Sequence, residues 1–171
     1  MLHSTAAGRQ RATLEEAALL SMPAWLSLLL VMGLVIAVLT PSRQQFAWFL
    51  RLRRPRWLSF ERWIPLIWSL IYLCFYASAL LRWQAGGATA PLAMAGYLVL
   101  LVLVQSYTLL ICRTRRLAWG TAAGLAGWLW GLGLALALLA VSRPASLLLV
   151  PFLLWSPIGT FVTWRMQRLN R

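Results

Sequence analysis

Two sets of residues in this sequence have the types and spacing to hold a ligand. Trp68, Tyr72, Phe75 and Ala79 form one, and Phe152, Trp155, Gly159 and Val162 the other. Both recur at three- and four-residue steps, so each lines one face of a helix. Gly159 lies one turn from Trp155 and leaves a gap beside a large flat ring. That gap is a shelf for a planar apolar molecule or a seat for a bulky neighbouring side chain. A ligand there would be held by stacking and burial. Groups that make or break bonds are scarce: Glu61 is the only carboxylate side chain after Glu16, and His3 is the only histidine. No nucleophile–base pair is visible, so hydrolysis and general acid–base catalysis are not expected. Cys74 and Cys112 are far apart, have no metal-ligand spacing and read as buried apolar residues, so no metal is expected.

The elements that must position these faces are membrane helices. The chain of 171 residues is 61% hydrophobic and 11% charged, against about 25% charged in an ordinary soluble domain. Its rare charges bound long apolar stretches. The gaps Glu16 to Arg43, Arg62 to Arg82, Arg82 to Arg113, Arg116 to Arg143 and Arg143 to Arg165 are each long enough for a helix to cross a bilayer. The expectation is an all-α membrane protein, a single domain over 1–171 with five transmembrane helices. The spans are 23–39, 63–81, 91–112, 117–141 and 145–164, with a functional first loop at 42–62. A signal peptide competes at the N-terminal end, but the apolar run from Leu19 to Leu39 is longer than a typical signal core.

All sixteen basic residues are arginine. Twelve lie in the first loop, the third loop and the C-terminal tail; Arg9, Arg11, Arg82 and Arg143 fall on the other side. The positive-inside rule then puts the first loop and C-terminus in the cytoplasm and the N-terminus outside. The net charge of +13 does not point to nucleic acid, because the arginines form short clusters at helix ends and no continuous basic face.

Several local features carry expectations of their own. Thr13 and Glu16 have capping-box spacing, consistent with a short interfacial helix. The first loop mixes Trp48, Phe49, Trp57 and Phe60 with arginines; it either anchors at the interface or folds back as a lid stiffened by Pro55. Gln105, an amide in an apolar run, should face the interior and find an interhelical partner. Gly120, Gly124, Gly127, Gly131 and Ala135 form small-residue ridges that admit close approach of another helix, from this chain or a second subunit. Pro151 and Pro157 should bend the last helix and free backbone carbonyls.

Three ungapped motifs resemble one known family. Trp48, Phe49, Leu52, Arg54, Pro55 and Trp57 match W-Y-x-x-L-x-K-P-x-W. Trp68, Ser69, Ile71 and Tyr72, with Trp83 eleven residues further on, match W-T-x-L-Y and its trailing tryptophan. Pro151, Phe152, Leu153, Trp155, Gly159, Leu169 and Asn170 match the fifth-helix pattern P-Y-L-x-W, small residue, L-N. The chain therefore resembles the translocator protein family, also called tryptophan-rich sensory protein or peripheral benzodiazepine receptor. It departs in the third helix, where Gln105, Ser106 and Tyr107 stand near the family's asparagine and W-S-P segment, and at Pro65, displaced by one.

The resemblance implies a compact, often dimeric five-helix bundle with a pocket under the first loop for porphyrin, haem, sterol or other flat apolar ligands. The pocket tryptophans fall on Trp68 and Trp155, the neighbouring aromatic position on Tyr72 and the small position on Gly159. Trp57, Phe152 and Val162 complete the expected ligand-binding set. Arg51, Arg53, Arg54 and Arg56 are the candidates to pair with propionates. No cofactor is obligatory, and the tetrapyrrole is a ligand. His3 sits in the N-terminal tail, so imidazole ligation of a haem iron inside the bundle is not expected. A sensor or receptor is the first reading, with a homodimer through the small-residue face. Light-dependent porphyrin degradation, with Trp68 and Trp155 as candidate catalytic residues, and porphyrin or sterol transport are the alternatives.

Overall fold

The computed structural model describes residues 23–170. Thr13, Glu16 and His3 lie outside the described residues, as do the expectations attached to them. Among the described residues the chain is all-helical. Helix α1 spans Ala24–Leu39, preceded by Pro23 and ended at Thr40-Pro41, where proline disfavours helix in the residue before it. After a 69° bend comes α2, Arg43–Leu50. Part of the segment expected to be loop is thus helical, and its cause is local. Ser42 and Gln45 form a reciprocal capping box, with Ser42 N–H donating to Gln45 Oε1 at 3.0 Å and Gln45 N–H to Ser42 Oγ at 3.3 Å.

A 3₁₀ turn at Glu61–Trp63 leads into α3, Ile64–Gln84, with Pro65 in its first turn. Gly86 and Gly87, at φ +61° and +89°, turn the chain into α4, Ala90–Thr114. Arg115 reverses it again, and α5 runs over Leu117–Leu139. The fifth span, expected as one helix over 145–164, is two: α6, Arg143–Leu147, and α7, Val150–Leu169. Pro151 sits in the first turn of α7, where its missing N–H costs nothing, so it begins a helix and does not kink one.

The stretches Glu61–Gln84, Ala90–Thr114, Leu117–Leu139 and Arg143–Leu169 are each long and apolar enough to cross a membrane. The sixteen residues of α1 reach about 24 Å at 1.5 Å each; α1 and α2 pass the same test only together, as a bent pair, so the described residues hold four such spans, or five with that pair counted as one. The protein is an all-α integral membrane protein.

Helix α5 sits between α4 and α7, and its glycines are the reason it can. A Cβ on Gly131 would lie 2.5 Å from Phe152 Cε1 on α7 and 3.4 Å from Leu100 on α4. One on Gly124 would collide with Thr160, and one on Gly120 with Ile111. The ridge Gly120, Gly124, Gly127, Gly131, Ala135 is buried along its whole length. Of the two partners expected for that ridge, another helix of this chain or a second subunit, the chain's own α4 and α7 are the ones that pack on it here.

Among the described residues, no buried side-chain polar atom lacks a hydrogen-bond partner. Pro157 has no N–H to offer the carbonyl of Leu153 one turn earlier, and the indole of Trp128 on α5 donates to that oxygen at 3.0 Å. Gln105 finds its interhelical partner in the Tyr72 hydroxyl at 2.6 Å. Ser146 donates to Ala135 O at 2.7 Å. Arg82 is only 1% exposed; its guanidinium donates to Gly86 O and Thr89 Oγ1, each at 2.7 Å, stapling the α3–α4 loop.

A candidate ligand pocket beneath the first loop

The two aromatic faces meet. Trp68 projects from α3, while Phe152, Trp155, Gly159 and Val162 project from α7, and all five line a cavity of about 350 Å³. Leu103, Val104 and Tyr107 of α4 form another wall, and Ala123, Gly124 and Gly127 of α5 the back. The buried ridge therefore serves twice: it lets three helices approach, and its missing side chains leave room between them. No atom lies within 4 Å of a Cβ placed on Gly159, so the gap beside Trp155 is open.

The first loop closes one end of the cavity. Phe49, Arg54, Leu58, Phe60 and Glu61 line it from that side, and the Phe60 ring meets the Trp155 indole edge-on at 6.0 Å. Pro55 is buried beneath the loop. The loop is held at two points. Arg54 pairs with Glu61 and donates to Leu50 O and Leu52 O, each at 3.0 Å. Asn170, just past α7, accepts from Arg53 N–H at 2.9 Å and donates to Arg53 O at 3.0 Å.

Not every expected residue reaches the cavity. Tyr72 stands beside Trp68, ring centres 5.7 Å apart, but its side chain lies outside the lining and its hydroxyl is engaged by Gln105. Trp57 is 44% exposed and packs on the outside, against Phe60 at 6.4 Å and Phe161 at 6.1 Å. Arg51, Arg53 and Arg56 are exposed and outside the lining, leaving Arg54 as the one cation on the cavity wall among the described residues. The guanidinium of Arg54 already has an anionic partner in Glu61.

Other lining residues went unnoticed in the sequence. The Tyr107 hydroxyl is hydrogen-bonded to Thr163, and Ser156 and Thr160 bring further hydroxyls to the same wall. The sequence carries their signal in helical spacing: Phe152, Ser156, Gly159 and Thr163 continue one helical face. The chemistry of the whole is that of a mostly apolar slot with two indoles, a phenyl edge and a few hydroxyls. It can bind and orient a flat molecule.

Comparison with known proteins agrees with this architecture. The sequence signature of the TspO/MBR family matches residues 18–169. The chain is 30% identical over 132 residues to the translocator protein of Bos taurus, an alignment covering 74% of this chain and 76% of that protein. It has the same identity and coverage with the translocator protein of Ovis aries. With the signature spanning nearly every described residue, the chain belongs to the TspO/MBR family.

Proposed function

We propose that this protein is a membrane receptor or sensor that binds a tetrapyrrole, porphyrin or haem, in the pocket beneath the first loop. The observation that carries the reading is the convergence of Trp68 and Trp155, from helices far apart in sequence, on one apolar cavity with open space at Gly159. Two indoles and Phe152 offer broad aromatic surface to a macrocycle. The cavity volume of about 350 Å³ is near the low end for ligand pockets, roughly 300 to 1,000 Å³. A macrocycle would therefore lift the first loop or leave one edge outside. Lifting the loop would link occupancy to a change on the membrane surface, which is what a sensor needs.

In this reading the propionates lie at the loop end. Arg54 would exchange Glu61 for a propionate, and Arg51, Arg53 and Arg56 would act from outside the lining once the loop moves. The arginine bias supports a cytoplasmic position for that end.

The test is titration of the protein in lipid with protoporphyrin, in darkness, followed by indole fluorescence and porphyrin absorbance. Saturable binding that weakens about tenfold or more in a Trp68→Phe, Trp155→Phe variant is expected. The same affinity in both would overturn the assignment. Because both indoles line the cavity, the same samples under illumination test the alternative of light-dependent degradation. Loss of porphyrin absorbance in the parent alone would establish that activity.

A further inference from the structure

A second cleft, of about 250 Å³, lies at the same end of the bundle and shares no lining residue with the ligand pocket. Three parts of the chain build it. Trp48 comes from α2 and Leu52 from the loop just after it, Arg115 and Arg116 from the α4–α5 turn, and Gln167 from the last turns of α7. The turn is ordered around its arginines: Arg115 adopts the left-handed conformation at φ 52°, and Arg116 N–H donates to Thr114 Oγ1 at 3.3 Å.

Among the described residues, no acidic group is paired with the charge in this cleft. Both arginines are exposed, and Glu61, the only carboxylate side chain among the described residues, is paired with Arg54. Helix α5 begins at the cleft without a side-chain cap, so its first amides add partial positive charge to the same wall. Guanidinium groups match phosphate oxygens in forked pairs. The turn joins two membrane-spanning helices and so stands at headgroup height, and an indole on the cleft wall is the side chain suited to that depth. We propose that this cleft holds the phosphate of an anionic glycerophospholipid. A net-negative headgroup is favoured over phosphocholine, whose quaternary ammonium would sit against two guanidiniums with no acidic side chain among the cleft's lining residues to offset it.

The full chain, released from micelles containing equal phosphatidylglycerol and phosphatidylcholine and weighed intact, reports which lipid it retains. One phosphatidylglycerol per chain is expected, preferred about tenfold or more. Arg115→Gln with Arg116→Gln should abolish that preference. Arg113→Gln with Arg165→Gln removes the same charge from exposed positions outside the cleft and should preserve it. Equal loss in both pairs would mean diffuse attraction to a basic surface and would overturn the site. Glycerol phosphate, the same phosphate without acyl chains, should not displace the lipid at equal concentration. Displacement would reassign the cleft to a soluble phosphate, and absence of any preference in the parent would remove it.

Discussion

Asn170 and Arg53, 117 positions apart, are joined by two hydrogen bonds between the asparagine amide and the arginine main chain, at 2.9 and 3.0 Å. The amide nitrogen also donates to Met166 O at 2.8 Å, which ties the pair to the end of α7. One side chain thus fastens the first loop to the helix that carries Trp155. Asn170→Ala should release the loop while leaving the helices folded, at a stability cost of about 1–3 kcal/mol. Hydrogen exchange across residues 51–60 should quicken, and a bound porphyrin should dissociate faster. Unchanged exchange there would show that the Arg54–Glu61 pair holds the loop alone.

Gly131 and Gly133 lie two residues apart on α5 and make opposite predictions. A methyl at Gly131 meets Phe152 at 2.5 Å, whereas one at Gly133 meets nothing within 4 Å. Gly131→Ala should destabilise by roughly 1–3 kcal/mol through overpacking. Gly133→Ala should be neutral or stabilising by up to about 1 kcal/mol, since alanine is the better helix former. Thermal unfolding of both in one lipid composition decides the matter.

Gly159→Leu separates binding from folding. A Cβ there meets no atom within 4 Å and the position lines the cavity, so the variant should keep its helix content and melting temperature. Filling the gap beside Trp155 should reduce porphyrin affinity by about tenfold or more. A variant that binds as tightly as its parent would exclude this gap from the binding site.

Trp128 and Pro157 form a testable pair. Trp128→Phe removes the donor to Leu153 O and should cost about 1–3 kcal/mol, the penalty of an unpaired, partly buried carbonyl that water in the membrane interior cannot satisfy. Pro157→Ala restores a helical N–H for the same oxygen. The double variant should therefore recover most of what the tryptophan substitution loses, a coupling that a double-mutant cycle in thermal unfolding reads directly.

Much of this architecture was legible in advance, and the reasons differ by feature. Arginines outline the spans because a charge deep in hydrocarbon is costly, so gaps between them trace the helices well. Trp68, Trp155 and Gly159 were legible because helical spacing predicts a shared face. A face is broad, however, and spacing could not say that Tyr72 would turn to Gln105 while Trp68 reached the cavity. Helix α2 carried its signal in Ser42 and Gln45, overshadowed by the arginines that follow. Trp57 and the arginines of residues 51–56 were beyond reach, since an irregular loop has no period from which orientation follows. The partner of the glycine ridge was equally hidden: closeness is written in the small residues, and the identity of the neighbour is not.

Helix α1 has no buried side chain. Tyr76 donates to its Trp25 carbonyl at 3.0 Å, and an apolar groove of about 360 Å³ runs between α1, α3 and α4. The α4–α5–α7 frame is by contrast locked through its glycines. The molecule therefore has a closely packed keel and a peripheral helix that rests on α3 and α4 through partly buried residues such as Leu28 and otherwise leans on the surrounding acyl chains for support. A detergent that leaves the keel intact can still strip that support. Unfolding measured in micelles and in bilayers should then diverge most at α1, the part of the protein for which lipid serves as both solvent and scaffold.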